Sequence, residues 1–224
     1  CSLVGSEMCI RDRSYSFRVL RALKNRFGST NESGIFSMEA SGLQEISNPA
    51  GLFLEERSND ASGSVVCACL EGNRPILVEV QALVAKTPYG MPRRTAVGFD
   101  YNRVTMLLAI LERRLGMDFG AYDAYVNVVG GMRVTEPAAD LAVAAALVSS
   151  YRNRPIPHGV LVMGEVGLTG EVRRIGSPER RIKDAMNLGF KRFVLPMGKL
   201  SLDEPCNGIV QVKTLEEALD KVFA

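Results

Sequence analysis

The sequence predicts an α+β domain over residues 64–224, and three observations predict it. Two strongly strand-like stretches, SVVCACLE and RPILVEVQALVA, are separated only by Glu71, Gly72 and Asn73 and read as a hairpin. Downstream, Val104, Leu107, Leu108, Leu111 and Leu115 recur at helical spacing behind Asp100, a residue type that caps helices. From there to the C-terminus, strand-like and helix-like runs alternate.

Each element follows from a local cue. Thr95 to Phe99 makes a short strand ahead of the Asp100 helix, and AYVNVVGG reads as a buried strand after it. An alanine-rich helix is entered through Thr135 and Pro137 and runs to about Tyr151. GVLVMGEVGL and EVRRIG make two strands around Thr169 and Gly170. Ser177 and Pro178 are a cap and first-turn pair for a helix through about Leu188, after which RFVLP and IVQV are strands. Thr214 and Glu217 form a capping box for the last helix.

Upstream, residues 14–57 carry short strand patterns (FRVLRALKNRFGS, IFSME, GLQEIS) with turn signals and no long helix, too little to fold as a domain alone. Residues 58–63 fall in a polar, turn-rich linker. The opening CSLVGSEMCIRDR, residues 1–13, has no strand or helix period and no signal-peptide pattern. It resembles the translation of a transposase sequencing adapter, so the expectation is a non-native scar in front of a C-terminal fragment.

The 224 residues are 46% apolar and 23% charged, enough for one good core. The longest apolar run, Leu141 to Val148, is far below the roughly eighteen residues of a membrane span. A net charge of +2 gives no global attraction to nucleic acid, so any such contact must come from local clusters. Of five cysteines, Cys67 and Cys69 form a C-x-C on alternating strand positions, and the others are scattered. That is neither a zinc pattern nor a disulfide framework, so no metal site is expected and a reducing cytoplasm is the simplest compartment. His158, the only histidine, sits in RPIPHGV without a Ser or Cys motif and reads as a solvated loop residue.

The ordered motifs YVNVVGG, EPAADLAVAAALVSS, MGEVGLTGEVRRIG and RFVLP resemble the proteolytic domain of the Lon protease family along nearly all of 64–224. The resemblance implies a ribosomal protein S5 domain 2-like fold. That family uses a serine nucleophile activated by a lysine base, which must lie within hydrogen-bond reach. Here the position matched to the serine is Ala138 and the position matched to the lysine is Glu179, so peptidase chemistry is disfavoured. Glu136 and Glu179 read as first-turn acids that meet a helix dipole, and Ser177 as a cap rather than a displaced nucleophile.

A domain with that dyad erased, preceded by KNRFG at Lys24 to Gly28, resembles the RadA (Sms) family of bacterial DNA repair proteins. SNPAGLFLEER, SGSVV, RPILVEVQALV and PRRTAVGFDYNR extend the match, which covers residue 17 to the C-terminus. The resemblance implies that residues 14–57 are the last strands of a RecA-like α/β ATPase domain and that 64–224 are a degenerate Lon-like domain. It also implies a homo-hexamer, ATP and Mg²⁺ in the full-length protein, zinc only in a missing N-terminal module, and single-stranded or branched DNA and the recombinase RecA as partners. No membrane partner is expected. The fragment alone is expected to bind none of these cofactors and not to hydrolyse ATP.

Lys24 and Arg26 stand two apart and point the same way on a strand. With the resemblance, they become trans-acting cations on a neighbouring subunit's ATP, where they stabilise charge on the transferred phosphoryl group. Asn25, Phe27 and Gly28 complete the motif. Without the resemblance, K-x-R on a strand reads as a solvated face. Lys86, Arg93, Arg94 and Arg103 gather around the loop KTPYGMPRR and suit phosphate contacts, with Tyr89 placed to stack on a base. Arg93 and Arg94 are equally suited to carboxylates of an adjoining subunit. Two other classes remain beside the repair motor: a peptidase with a relocated dyad, and a non-catalytic ring-forming scaffold.

Overall fold

The computed structural model describes residues 17–21, 33–39, 42–45, 61–72, 74–88, 90–202 and 205–224. The KNRFG residues Lys24, Asn25, Arg26, Phe27 and Gly28, the opening thirteen residues, and Tyr89 lie outside the described residues.

Strands β1 (Phe17–Arg21), β2 (Ser33–Glu39) and β3 (Gly42–Glu45) form a three-stranded antiparallel meander. Short strands are therefore present at these residues, as expected.

The second sheet has seven strands in the order β12-β11-β8-β4-β5-β7-β6. Its members are β4 (Ser64–Glu71), β5 (Arg74–Lys86), β6 (Arg94–Val97), β7 (Tyr122–Val128), β8 (Val160–Val162), β11 (Arg192–Pro196) and β12 (Ile209–Val212). A separate two-stranded ribbon joins β9 (Glu165–Val166) to β10 (Val172–Arg173). Among the described residues the α-helices are α1 (Tyr101–Leu115), α2 (Asp140–Arg152), α3 (Pro178–Asn187) and α4 (Leu215–Phe223).

The β4–β5 hairpin is antiparallel, with Val66 opposite Glu79 and Glu71 opposite Arg74, and Gly72 supplies the positive φ of 64° at its turn. Strand β7 is antiparallel to β5, but β6–β7, β4–β8, β8–β11 and β11–β12 are all parallel. The sheet is thus mixed and rich in parallel neighbours, nearer an α/β arrangement than the α+β class expected. The reason is that α2 and α3 each act as a crossover, returning the chain to the same end of the sheet before β8 and β11.

One face of the sheet is fully covered. Val65, Cys67, Val78, Val80, Val126 and Val162 meet α1, α2 and α4 there. Helix α2 is alanine-rich for a packing reason: Ala142, Ala144, Ala145 and Ala146 are all fully buried, so the helix lies close on the strands. Cys67 and Cys69 share this face with their sulfurs 3.5 Å apart, both as free thiols. The hydrogen bond between them and burial push the Cys69 thiol well above its ordinary value.

The opposite face is covered over only part of its width. Val66, Ala68, Leu77, Leu161 and Phe193 pack against Ile182 and Ala185 of α3. Toward β5–β7–β6 this face is open, with Gln81, Leu83, Thr95, Val97 and Asn127 exposed.

Local cues were mostly obeyed. The Asp100 carboxylate accepts from the Arg103 N–H, and Gly116, with φ 64°, closes α1. Thr214 accepts from Glu217 N–H, while the Glu217 carboxylate accepts from Lys213 N–H, one residue before the cap. Ser177 departs from expectation. It sits at φ 50°, ψ 51° and its side chain makes no capping hydrogen bond, because a left-handed residue turns its hydroxyl away from the first-turn N–H groups. The alanine-rich helix begins with a 3-10 turn over Pro137–Ala139 before Asp140. His158 lies exposed in a turn, as expected.

Candidate functional site

The positions matched to a nucleophile and base are occupied by a different construction. Ala138 is 3% exposed in the turn entering α2, and its carbonyl accepts from Gly164 N–H. Glu179, in the first turn of α3, accepts a 3.3 Å hydrogen bond from Ser201 N–H, so it ties down the loop before β12 in addition to any dipole role.

Glu136 corrects the sequence reading more sharply. Its carboxylate does not merely face a helix dipole. It forms a two-pronged ion pair with Arg181, whose side chain is fully buried, and also accepts from Leu70 N–H at 2.7 Å. Arg181 donates in addition to the Gly176 and Ala68 carbonyls. One guanidinium therefore fastens α3, the end of β4 and the entry to α2 together. Burying an arginine demands such full pairing, because an unpaired charge in the interior is costly.

A second clamp joins α1 to α2. Arg103 donates from Nε to Asp140 at 2.8 Å and from its terminal nitrogen to the other carboxylate oxygen. Asp140 is fully buried and accepts additionally from Val166 N–H. Burial raises the Asp140 carboxyl above its ordinary value against the pull of Arg103, and Arg103 is raised chiefly by its hydrogen bond to Asp140. The carboxylate loses more solvent than the partly exposed arginine, so desolvation governs it while pairing governs its partner.

The basic cluster around the β5–β6 loop is split by these contacts. Arg103 is held by Asp140. Arg94 curls back onto its own neighbourhood, donating to the Phe119, Tyr122 and Arg93 carbonyls. Lys86 and Arg93 are exposed. The loop is fixed at both stems by Asp123, which accepts from Thr87 Oγ1 at 2.9 Å and Arg93 N–H at 2.7 Å. The Arg93 N–H is the main reason the Asp123 carboxyl lies below its usual value. Between the stems, Met91 stands 89% exposed. The surface suited to phosphate is thus Lys86 and Arg93 on a stapled loop.

Sequence reasoning missed Arg181, Asp140 and Asp123. Asp140 alone carried a signal, since a carboxylate inside the run of alanines and valines in AADLAVAAALV must be paired when buried.

Comparison with known proteins now bears on this geometry. A curated relative named DNA repair protein RadA from Halalkalibacterium halodurans is 50% identical over 213 residues, covering 93% of this chain and 46% of the relative. The proteins of that name from Bacillus subtilis and Pseudomonas aeruginosa are also 50% identical, over 210 and 207 residues, each covered to 46% of its length by 93% and 92% of this chain. The chain spans about half the length of the curated relatives it matches. The family model described as subunit ChlI of Mg-chelatase matches residues 81–199. That match takes in the stapled loop and both arginine clamps, and with it the chain belongs to the ChlI family, with similar proteins among those named DNA repair protein RadA.

Proposed function

We propose that this chain is the C-terminal portion of a DNA-dependent ATPase that promotes branch migration or unwinding of recombination intermediates during DNA repair. The observation that carries the reading is the identity near one half, across nearly the whole chain, to relatives named DNA repair protein RadA.

In this reading residues 64–224 are a Lon-like domain kept as a scaffold. Ala138 offers no nucleophile and Glu179 no amine base, and the Glu136–Arg181 pair fills the neighbourhood with a structural tie. The scaffold presents Lys86 and Arg93 to the phosphates of single-stranded or branched DNA, which gives affinity without sequence readout. Residues 14–57 belong to a RecA-like ATPase domain, and Lys24 and Arg26 act on ATP and Mg²⁺ held by an adjoining subunit of a homo-hexamer. The recombinase RecA is the proposed protein partner, and the cytoplasm the proposed compartment. Among the described residues no helix is long and apolar enough to cross a membrane.

The test is ATP hydrolysis by the full-length protein with and without single-stranded DNA, comparing wild type with Lys24→Ala and Arg26→Ala. DNA-stimulated turnover that collapses in both variants while ATP still binds supports the reading. Wild-type turnover in both variants would reduce KNRFG to a structural turn.

A further inference from the structure

The open part of the sheet has a chemistry that neither the DNA contacts nor the ATPase reading uses. Strand alternation and register define it. Leu83 lies opposite Tyr125, which lies opposite Thr95, and in the next row Gln81 lies opposite Asn127, which lies opposite Val97. These residues share one face. Together with Ser64 and Glu79 they line a cleft of about 430 Å³, in which Leu83 is 59% and Val97 53% exposed.

At its floor is Glu79, only 3% exposed. One oxygen of its carboxylate accepts from Ser64 Oγ at 2.6 Å and Gln81 Nε2 at 3.0 Å, both neutral donors. Among the described residues no cation stands within 4.0 Å of it, and no other charged residue lines the cleft. A carboxylate taken out of water is costly unless charge or hydrogen bonds compensate it: buried Asp140 is met by Arg103, and buried Asp123 by the Thr87 hydroxyl and Arg93 N–H, whereas Glu79 has two donors on a single oxygen. Farther along the face, Asp123 adds a second carboxylate within reach of the Tyr125 hydroxyl. Asp123 feels the charge of Arg93 at that end, so the Glu79 end is the part of the face whose lining holds a carboxylate and no cation. Lys86, one step beyond Ala85 on β5, falls on the opposite side of the strand from Leu83.

We propose that this cleft docks a basic segment of a partner protein, which seats a lysine or arginine side chain on Glu79 and covers Leu83 and Val97 with its apolar neighbours. Charge complementarity selects the occupant, and the exposed aliphatic side chains supply the apolar area that a single ion pair lacks. Neither Lys86 nor Arg93 is among the residues lining the cleft, so one scaffold holds nucleic acid and a protein by different residues.

The test uses the whole ¹⁵N-labelled chain and a defined probe, acetyl-Val-Arg-Val-amide, against the same peptide with citrulline, a neutral isostere of arginine. The arginine peptide should give saturable amide shifts at Gln81, Leu83, Val97 and Tyr125. Citrulline, or the isosteric Glu79→Gln change, should weaken binding by about tenfold or more. Leu83→Lys, at an exposed position that leaves the fold intact, should abolish it, and this variant decides the matter if Glu79→Gln fails to fold. Absence of saturable shifts, equal affinity for the citrulline peptide, or unchanged binding by Leu83→Lys would overturn the proposal.

Discussion

Two arginine-bearing regions look alike in the sequence and behave in opposite ways in the fold. Around α3, Arg181 is fully buried and all its contacts are internal: Glu136, Ala68 and Gly176. Around the β5–β6 loop, Lys86 and Arg93 stay exposed while Arg94 between them and the sheet turns inward onto backbone carbonyls. The difference teaches that a cluster of cations is a mixture. Those within reach of unsatisfied carboxylates or carbonyls become architecture, and only the remainder is available to a ligand.

The sharpest break in that comparison comes from Arg181→Ala. It strips the buried partner from Glu136 and leaves the Ala68 carbonyl without its donor, so unfolding in urea should show a loss of about 3–5 kcal/mol. Replacing both partners, Glu136→Leu with Arg181→Met, should recover most of that loss, because an apolar pair of similar volume avoids an orphaned charge. A double change as damaging as the single one would show that the clamp's backbone contacts matter more than its ion pair.

Arg94→Ala should cost less, about 1–2 kcal/mol, since it removes charge-assisted hydrogen bonds at a half-buried site. Thermal melts of Arg94→Ala and Arg93→Ala measured together sharpen the contrast, with the second expected to match wild type.

The smallest effect is electrostatic and local. The Glu171 carboxyl is lowered to about 2, chiefly by the Thr169 hydroxyl, then by its own backbone N–H and by Arg173. Its folded value lies below its unfolded one. Its stabilisation is therefore present above about pH 4.5 and lost as pH falls through the window from 4.5 to about 2. An NMR titration should find Glu171 near that low value, and Thr169→Val should move it upward.

Much of the fold was legible because its cues are local. The β4–β5 hairpin announces itself through alternation and Gly72, and α1 through its apolar stripe and Asp100. The parallel pairing of β8, β11 and β12 was not legible, since residue pattern within a strand does not state which neighbour it meets. At the site, the matched positions Ala138 and Glu179 stand on separate elements, at the entry to α2 and in the first turn of α3. Arg181, however, reaches Glu136 across a separation of 45 residues and Ala68 across 113. Such contacts exist only once the sheet is assembled. For the same reason Arg94 and Arg103 looked as available as Lys86 until Phe119, Tyr122 and Asp140 were placed beside them.

In the proposed function, the exposed cations of the stapled loop meet DNA while the inward ones build the fold. The most direct measurement is the salt dependence of single-stranded DNA binding by the full protein, for wild type, Lys86→Ala with Arg93→Ala, and Arg94→Ala. The double variant should fold like wild type, bind more weakly, and have a log–log salt slope shallower by about 1–2. Arg94→Ala should melt earlier and keep the wild-type slope. A double variant with unchanged affinity and slope would contradict the account and move the DNA-contacting surface elsewhere on the molecule.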